Sequence, residues 1–288
     1  MSLQGPADEI VVTGMASVAG PDLEGALERL PGAIRARAVR AERVTQLALT
    51  AADAALRGAG ITGRDGGPDP RLGIVLGTAF GCLLTNALHQ RRLAETGPGG
   101  VSPRTFAATV SNAATGEITI AYGLGGPALT VTAGLASGLA AVAEGRALMA
   151  SDRLAAVLAG GADAWGAALA RWLGDTGLAQ AVVPGEGAAF VVLERRRDAV
   201  ARGARPLACL EIAATGFEAE SRETPRLLPD WGGQAIEGAP VFPGLGERAL
   251  VAALQWLASA AGGTRCIVRD RCPTGQVAAA AWRREEAA

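Results

Sequence analysis

Histidine is almost missing from this chain of 288: His89 is the only one, and aromatic residues together make up 4%. His89 lies in a helix-like Ala/Leu/Arg segment, where a packing or surface place outweighs a catalytic one. Excess charge of either sign is also missing. The 27 basic and 28 acidic residues leave a net charge of −1, which sets up no long-range field toward nucleic acid or an anionic membrane. The opening MSLQGPADEI has no basic region followed by an apolar core, so no secretory signal is expected. The Ala-rich stretches are broken by Glu144, Arg146, Asp152 and Arg153, which argues against a membrane span. A cytoplasmic location is the expectation. Cys82, Cys209, Cys266 and Cys272 show neither close metal-ligand spacing nor a small secreted disulfide framework, and they read as mostly buried thiols. Neither a metal nor a cofactor is expected.

Small and apolar residues fill the chain instead. Hydrophobic residues reach 49% and glycines number 40, so helices and strands must pack closely on short side chains. Helical runs are read at Leu23 to Leu30 and at Thr45 to Arg57, the latter amphipathic through Leu47, Leu49, Ala52 and Leu56. A loop at Asp65 to Pro70 precedes a strand at Leu72 to Leu76, and helices follow at Leu83 to Glu95 and at Gly138 to Met149. Strands at Leu154 to Leu158 and Ala188 to Leu193 bracket a helical piece around Gly166 to Leu173. This alternation favours a layered α/β sheet over a helical bundle.

The densest signal is Gly123 to Gly138, GLGGPALTVTAGLASG. Leu129 to Thr132 reads as a buried strand, a Gly-rich turn follows, and Ser137-Gly138 opens an Ala-rich helix. Such a strand-turn-helix elbow pushes one side chain into a pocket at a helix N-terminus, where the dipole can activate a thiol. Here the tip holds only Gly134, Leu135 and Ala136. Ser137 has no G-x-S-x-G frame and reads as a helix-start residue.

The elbow resembles that of the β-ketoacyl synthases, G-L-x-G-P followed by T-A-C-[AST]-[ST]-G. Ordered matches extend it: IVVTG at Ile10 to Gly14, RVTQLALTAADAALRGAG at Arg43 to Gly60 and LGIVLGTAFG at Leu72 to Gly81. VSP at Val101 to Pro103, VSNAATG at Val110 to Gly116, AAVLAGGADA at Ala155 to Ala164 and GEGAAFVVLE at Gly185 to Glu194 continue the series. The resemblance implies a thiolase-like α/β/α/β/α fold, one unit over residues 1–288 with halves 1–165 and 166–288, the second reduced. It puts Leu135 at the place of the acyl-accepting cysteine.

The second half departs from the family pattern. Fewer residues than the family uses separate Ala164 from Gly185, and no H-G-T-x-T occurs between Gly203 and Gly246. The family's second histidine, in G-H-x-x-G-A-A-G, finds its best match at Gly246 to Gln255, which puts Glu247 there. A competing register uses Thr274-Gly275-Gln276 and implies a cut C-terminus. The first is preferred, because Cys266 to Trp282 then resembles the family's final hairpin, with Thr274-Gly275 as its turn and Cys272 brought toward the elbow.

Three function classes compete under this resemblance. The first is a non-catalytic subunit of the chain-length-factor type, paired with an active ketosynthase in polyketide, aryl-polyene or fatty-acid-type elongation. The alternatives are an enzyme with altered acyl-carrier chemistry, hydrolase or decarboxylase, and a non-enzymatic scaffold. The first explains most, since cysteine and both histidines are lost together and no new acid–base pair is evident. It implies no catalytic residue, only the vestigial positions Leu135 and Glu247. It further implies a tunnel wall of Phe80, Thr105, Phe106 and Leu135, and an interface through Asn112, Leu129 and Val131. The expected partners are a ketosynthase homologue and, through it, an acyl carrier protein. The arginines at 35, 37, 40 and 43 read as a solvated helix face more readily than as a carrier-docking patch.

Overall fold

The computed structural model describes residues 8–61, 68–217, 234–237 and 245–286. Part of the Asp65 to Pro70 loop and much of the Gly203 to Gly246 region lie outside the described residues. The chain runs β1 (Ile10–Ala19), α1 (Leu23–Glu28), α2 (Gly32–Ala38), α3 (Arg43–Gly58), β2 (Leu72–Gly77), α4 (Leu83–Thr96), α5 (Pro103–Ala107), α6 (Ala113–Tyr122) and β3 (Ala128–Val131). It continues as α7 (Ser137–Leu148), β4 (Ala156–Asp163), α8 (Ala167–Asp175), β5 (Gly187–Arg195), α9 (Arg196–Ala201) and β6 (Ala208–Phe217). β7 (Gln234–Glu237), α10 (Arg248–Ser259), β8 (Arg265–Arg271) and β9 (Gln276–Arg284) complete it.

The strands follow the order β3-β2-β4-β5-β1-β6-β9-β8-β7. β1 meets β6 only through Val11–Cys209 and Val12–Ala208, so the sheet divides there into two leaves. Each leaf repeats one pattern: a parallel pair (β2 with β4, β7 with β8), then two antiparallel steps (β4 to β5 to β1, β8 to β9 to β6). Among the described residues the second leaf has no counterpart of β3.

Helices α7 and α10 lie between the leaves and are apolar nearly all round, as a buried helix must be. Leu139, Val142, Leu250 and Leu257 pack against Val157, Val191 and Leu193 of one leaf and Val268, Ala280 and Trp282 of the other. The far face of the first leaf carries α3, whose Leu47, Ala51 and Leu56 cover Leu158, Phe190 and Val192. The layers are therefore helix, sheet, helix, sheet; among the described residues no fifth, helical layer covers the second leaf. This is the thiolase-like arrangement with a reduced second half.

Two elements differ from expectation. The strand read at Leu154 to Leu158 runs instead over Ala156–Asp163 and is buried throughout, because Gly160 and Gly161 are strand residues, not a turn. A Cβ on Gly160 would lie 2.0 Å from the Ala189 oxygen, and one on Gly161 would lie 3.1 Å from Gly138 Cα, so glycine serves close packing there. The strand read as buried at Leu129 to Thr132 is the sheet edge, Ala128–Val131, with Leu129 38% exposed. β3 pairs with β2 on one side and has no strand neighbour on the other among the described residues, so its side chains at the rim are only partly covered.

Candidate functional site

The site forms where the ends of β2 and β4 meet the starts of α7 and α10. Ala133 to Ala136 make the elbow, with Gly134 at φ 53°. Ser137 Oγ accepts from the Ala133 N–H at 2.9 Å and lies 3.0 Å from the Thr78 oxygen and 2.6 Å from the Gly134 oxygen. It is fully buried and ties the turn together, a structural place that leaves no room for a nucleophile. Small residues let the four element ends converge: a Cβ on Gly77 would stand 2.1 Å from the Ser137 oxygen. The Gly138 N–H donates to the Gly246 oxygen at 2.7 Å, which joins α7 to α10.

Leu135 at the elbow tip is 3% exposed and packs with Leu169, Leu173, Val182, Leu245 and Cys272, with Phe80 and Trp165 at the margin. Phe80 also meets Trp172 edge-on, ring centroids 5.7 Å apart. Cys272 lies in the β8–β9 turn, where a Cβ on Gly134 would meet its Sγ at 2.2 Å; the hairpin seats directly on the elbow. Thr274-Gly275 is thus a hairpin turn, with Gly275 at φ 98°, whereas Gly246-Glu247 stands at the start of α10.

Two buried carboxylates stand at this junction, Asp163 and Glu247. Asp163, at the end of β4, accepts from Thr78 Oγ1 at 2.7 Å and from the Ala79, Phe80 and Gly246 N–H groups at 2.8, 3.0 and 3.0 Å. The backbone N–H groups of the GTAFG turn close on this side chain. Glu247 is 2% exposed and accepts from the Leu245 N–H at 3.3 Å. Burial first, then the Asp163 charge, push its carboxyl well above the ordinary range. Burial raises Asp163 as well, while its four donors oppose the raise. Burial therefore favours the protonated form of both carboxyls, more strongly at Glu247.

The remaining residues fall elsewhere. Within one chain Phe80 and Leu135 share a cluster, whereas Thr105 and Phe106 of α5 do not join it; Phe106 is 64% exposed beside His89, whose ring centroid is 5.7 Å away. Asn112 is exposed at the N-cap of α6, near the exposed β3 edge that carries Leu129. Val131 packs in part against its own chain's central core. His89 is buried in α4. All four cysteines are free and buried. Arg37 and Arg43 pair with Glu117 and Glu186. Among the described residues no group of His, Cys, Asp or Glu is placed to hold a metal ion, and no helix is long and apolar enough to cross a membrane. Asp163 is the part that sequence reasoning missed, and the acid following a buried Gly-Gly in AGGAD was the available signal for it; the helical piece read around Gly166 to Leu173 is α8, Ala167–Asp175, but its place beside Leu135 was not foreseen.

Comparison with known proteins agrees with this geometry. The family model for the beta-ketoacyl synthase N-terminal domain matches residues 22–171. Nodulation protein E of Rhizobium meliloti is 29% identical over 231 residues, 75% of this chain and 56% of that protein. A 3-oxoacyl-[acyl-carrier-protein] synthase 2 of Staphylococcus aureus is 28% identical over 219 residues, 69% of this chain and 52% of its own length. The chain thus spans about half the length of the curated relatives it matches. Among solved structures, the ishigamide ketosynthase/chain length factor superposes with a TM-score of 0.76 at 21% identity, covering 96% of this chain and 99% of the other. A beta-ketoacyl synthase from Burkholderia phymatum gives 0.77 at 16% identity, covering 96% and 99%. With a family model covering more than half its length and the layered fold in place, this chain belongs to the beta-ketoacyl synthase family.

Proposed function

We propose that this chain is the non-catalytic member of a ketosynthase pair, of the chain-length-factor type, which completes a dimer with an active homologue and bounds the tunnel for its growing acyl chain. The observation that carries the reading is Leu135: a buried leucine occupies the elbow tip, and a leucine cannot form a thioester. Glu247 in place of an imidazole supports it, because a sealed, protonated carboxyl cannot polarise a thioester carbonyl as an imidazole would. The pairing is supported by the exposed edge of β3 and by Ile120, Val110, Phe106 and Leu129, which are 64%, 51%, 64% and 38% exposed on one chain; a partner chain would cover such a strand edge and such apolar side chains. One superposable structure is described as a ketosynthase/chain length factor, and another as a type II polyketide synthase acyl-carrier protein in complex with its ketosynthase. A partner of the same kind, with a carrier protein delivering to it, fits this chain.

Two measurements test the reading. Incubated with an acyl-loaded carrier protein, the isolated chain should show no covalent acyl adduct by intact-mass spectrometry. Co-expressed with a cysteine-bearing ketosynthase from its own locus, it should co-purify as a stoichiometric complex. An adduct on Cys272 or any other cysteine would point to altered acyl chemistry instead, and an intact chain that ignores such a partner would favour a scaffold.

A further inference from the structure

The elbow of this chain is covered from two sides. On one side the β8–β9 turn places Cys272 against Gly134. On the other stands α8, an amphipathic helix whose Leu169 and Leu173, one turn apart, are 0% and 2% exposed and share the cluster of Leu135. Leu178 and Val182 extend the same cover beyond the helix. The start of α8 is pressed close to α4, since a Cβ on Gly166 would lie 3.1 Å from both terminal carbons of Leu84. On the shoulder of the helix Trp172, 41% exposed, sets its ring edge-on against Phe80, an arrangement that aromatic quadrupoles favour.

We propose that α8 is a built-in stopper: Leu169 and Leu173 fill, beside Leu135, the space an acyl group would need in this chain, and the Trp172–Phe80 pair latches the helix over it. The elbow is then shut to a carrier arm for two independent reasons, the missing thiol and the filled approach. An acyl chain that meets Phe80 or Leu135 must arrive through an interface with another subunit and not from solvent across α8. The stopper is a property of the single chain, so it stands or falls apart from any pairing with a ketosynthase.

Thiol accessibility tests it. In a Leu135→Cys variant, reaction with N-ethylmaleimide is followed by peptide mapping, with Cys266 as an internal reporter of whole-fold opening because it is fully buried in β8. The introduced thiol should react no faster than Cys266. Adding Trp172→Ala should speed its reaction at least tenfold and leave Cys266 unchanged. The stopper is overturned if the introduced thiol reacts tenfold faster than Cys266 while Trp172 is present, or if Trp172→Ala accelerates both thiols alike or neither. Should Trp172→Ala fail to give folded protein, Leu173→Val, which trims the stopper by one methylene, takes its place with the same two readouts and the same overturning results.

Discussion

Glu247 stands at a helix start with its carboxyl buried beside a second acid, and that position makes the stability of the chain depend on pH. Its folded pKa is raised, so the folded state binds this proton more tightly than the unfolded chain does. The stabilisation is complete below the ordinary carboxylate range and is lost as pH rises from there toward the folded value. Glu247→Gln keeps the shape and removes the titration. Wild type and variant should unfold at similar denaturant concentrations near pH 4. At pH 8 the variant should be the more stable by about 1–3 kcal/mol, the range for one buried polar group. Equal pH slopes in the two proteins would show that Glu247 ionises in the fold without penalty. The sequence put Glu247 at the start of a helix, where the structure has it, but it held no hint of the raised pKa, which arises from burial and then from Asp163, eighty-four residues away in the chain.

Among the elements, β3 has one hydrogen-bonding edge without a strand partner among the described residues, and its apolar side chains are divided between two tasks. Leu129 is 38% exposed, whereas Val131 packs toward the chain's own central core. The two should therefore respond differently to the same change. Leu129→Asp should weaken association with a partner chain by about thirtyfold or more, equivalent to roughly 2 kcal/mol for an unpaired carboxylate in an apolar contact, and leave the melting temperature of the single chain nearly unchanged. Val131→Asp should also lower the melting temperature. Sedimentation of the complex alongside thermal unfolding of the isolated chain separates them. If Leu129→Asp leaves the complex intact, β3 is no part of the contact. The β-branched run made this strand legible in the sequence, but its place at the sheet edge was not, because a strand's neighbours depend on pairings far along the chain.

At the scale of the whole molecule, two leaves close on α7 and α10, and the four element ends that converge there lie beside the proposed tunnel wall. If Phe80 bounds the partner's acyl chain, Phe80→Ala should lengthen the products of the reconstituted pair by one or more extension units, since each methylene accommodated contributes about 0.8 kcal/mol. If Phe80 only packs against Trp172 and the Leu135 cluster, the same change should cost about 3–5 kcal/mol of stability and leave the length distribution alone. Product profiling, after the variant is shown to be folded and bound, distinguishes the outcomes. Phe106 belongs to this wall only if a second chain brings it there, because within one chain it faces solvent.

The sequence by itself determined the family, the alternation of strands and helices, the elbow and the absence of a thiol at its tip, because these are written in contiguous motifs whose glycines and β-branched residues have local conformational meaning. Tertiary structure alone decided that Asp163 fills the turn after β2, that Gly160-Gly161 lies inside a strand, that β3 is an edge and that α8 covers Leu135. Each of these depends on which surfaces exclude water and which backbone groups find partners across long loops. Such burial and pairing are settled only when the whole chain has closed on its core, and no local window of sequence contains them.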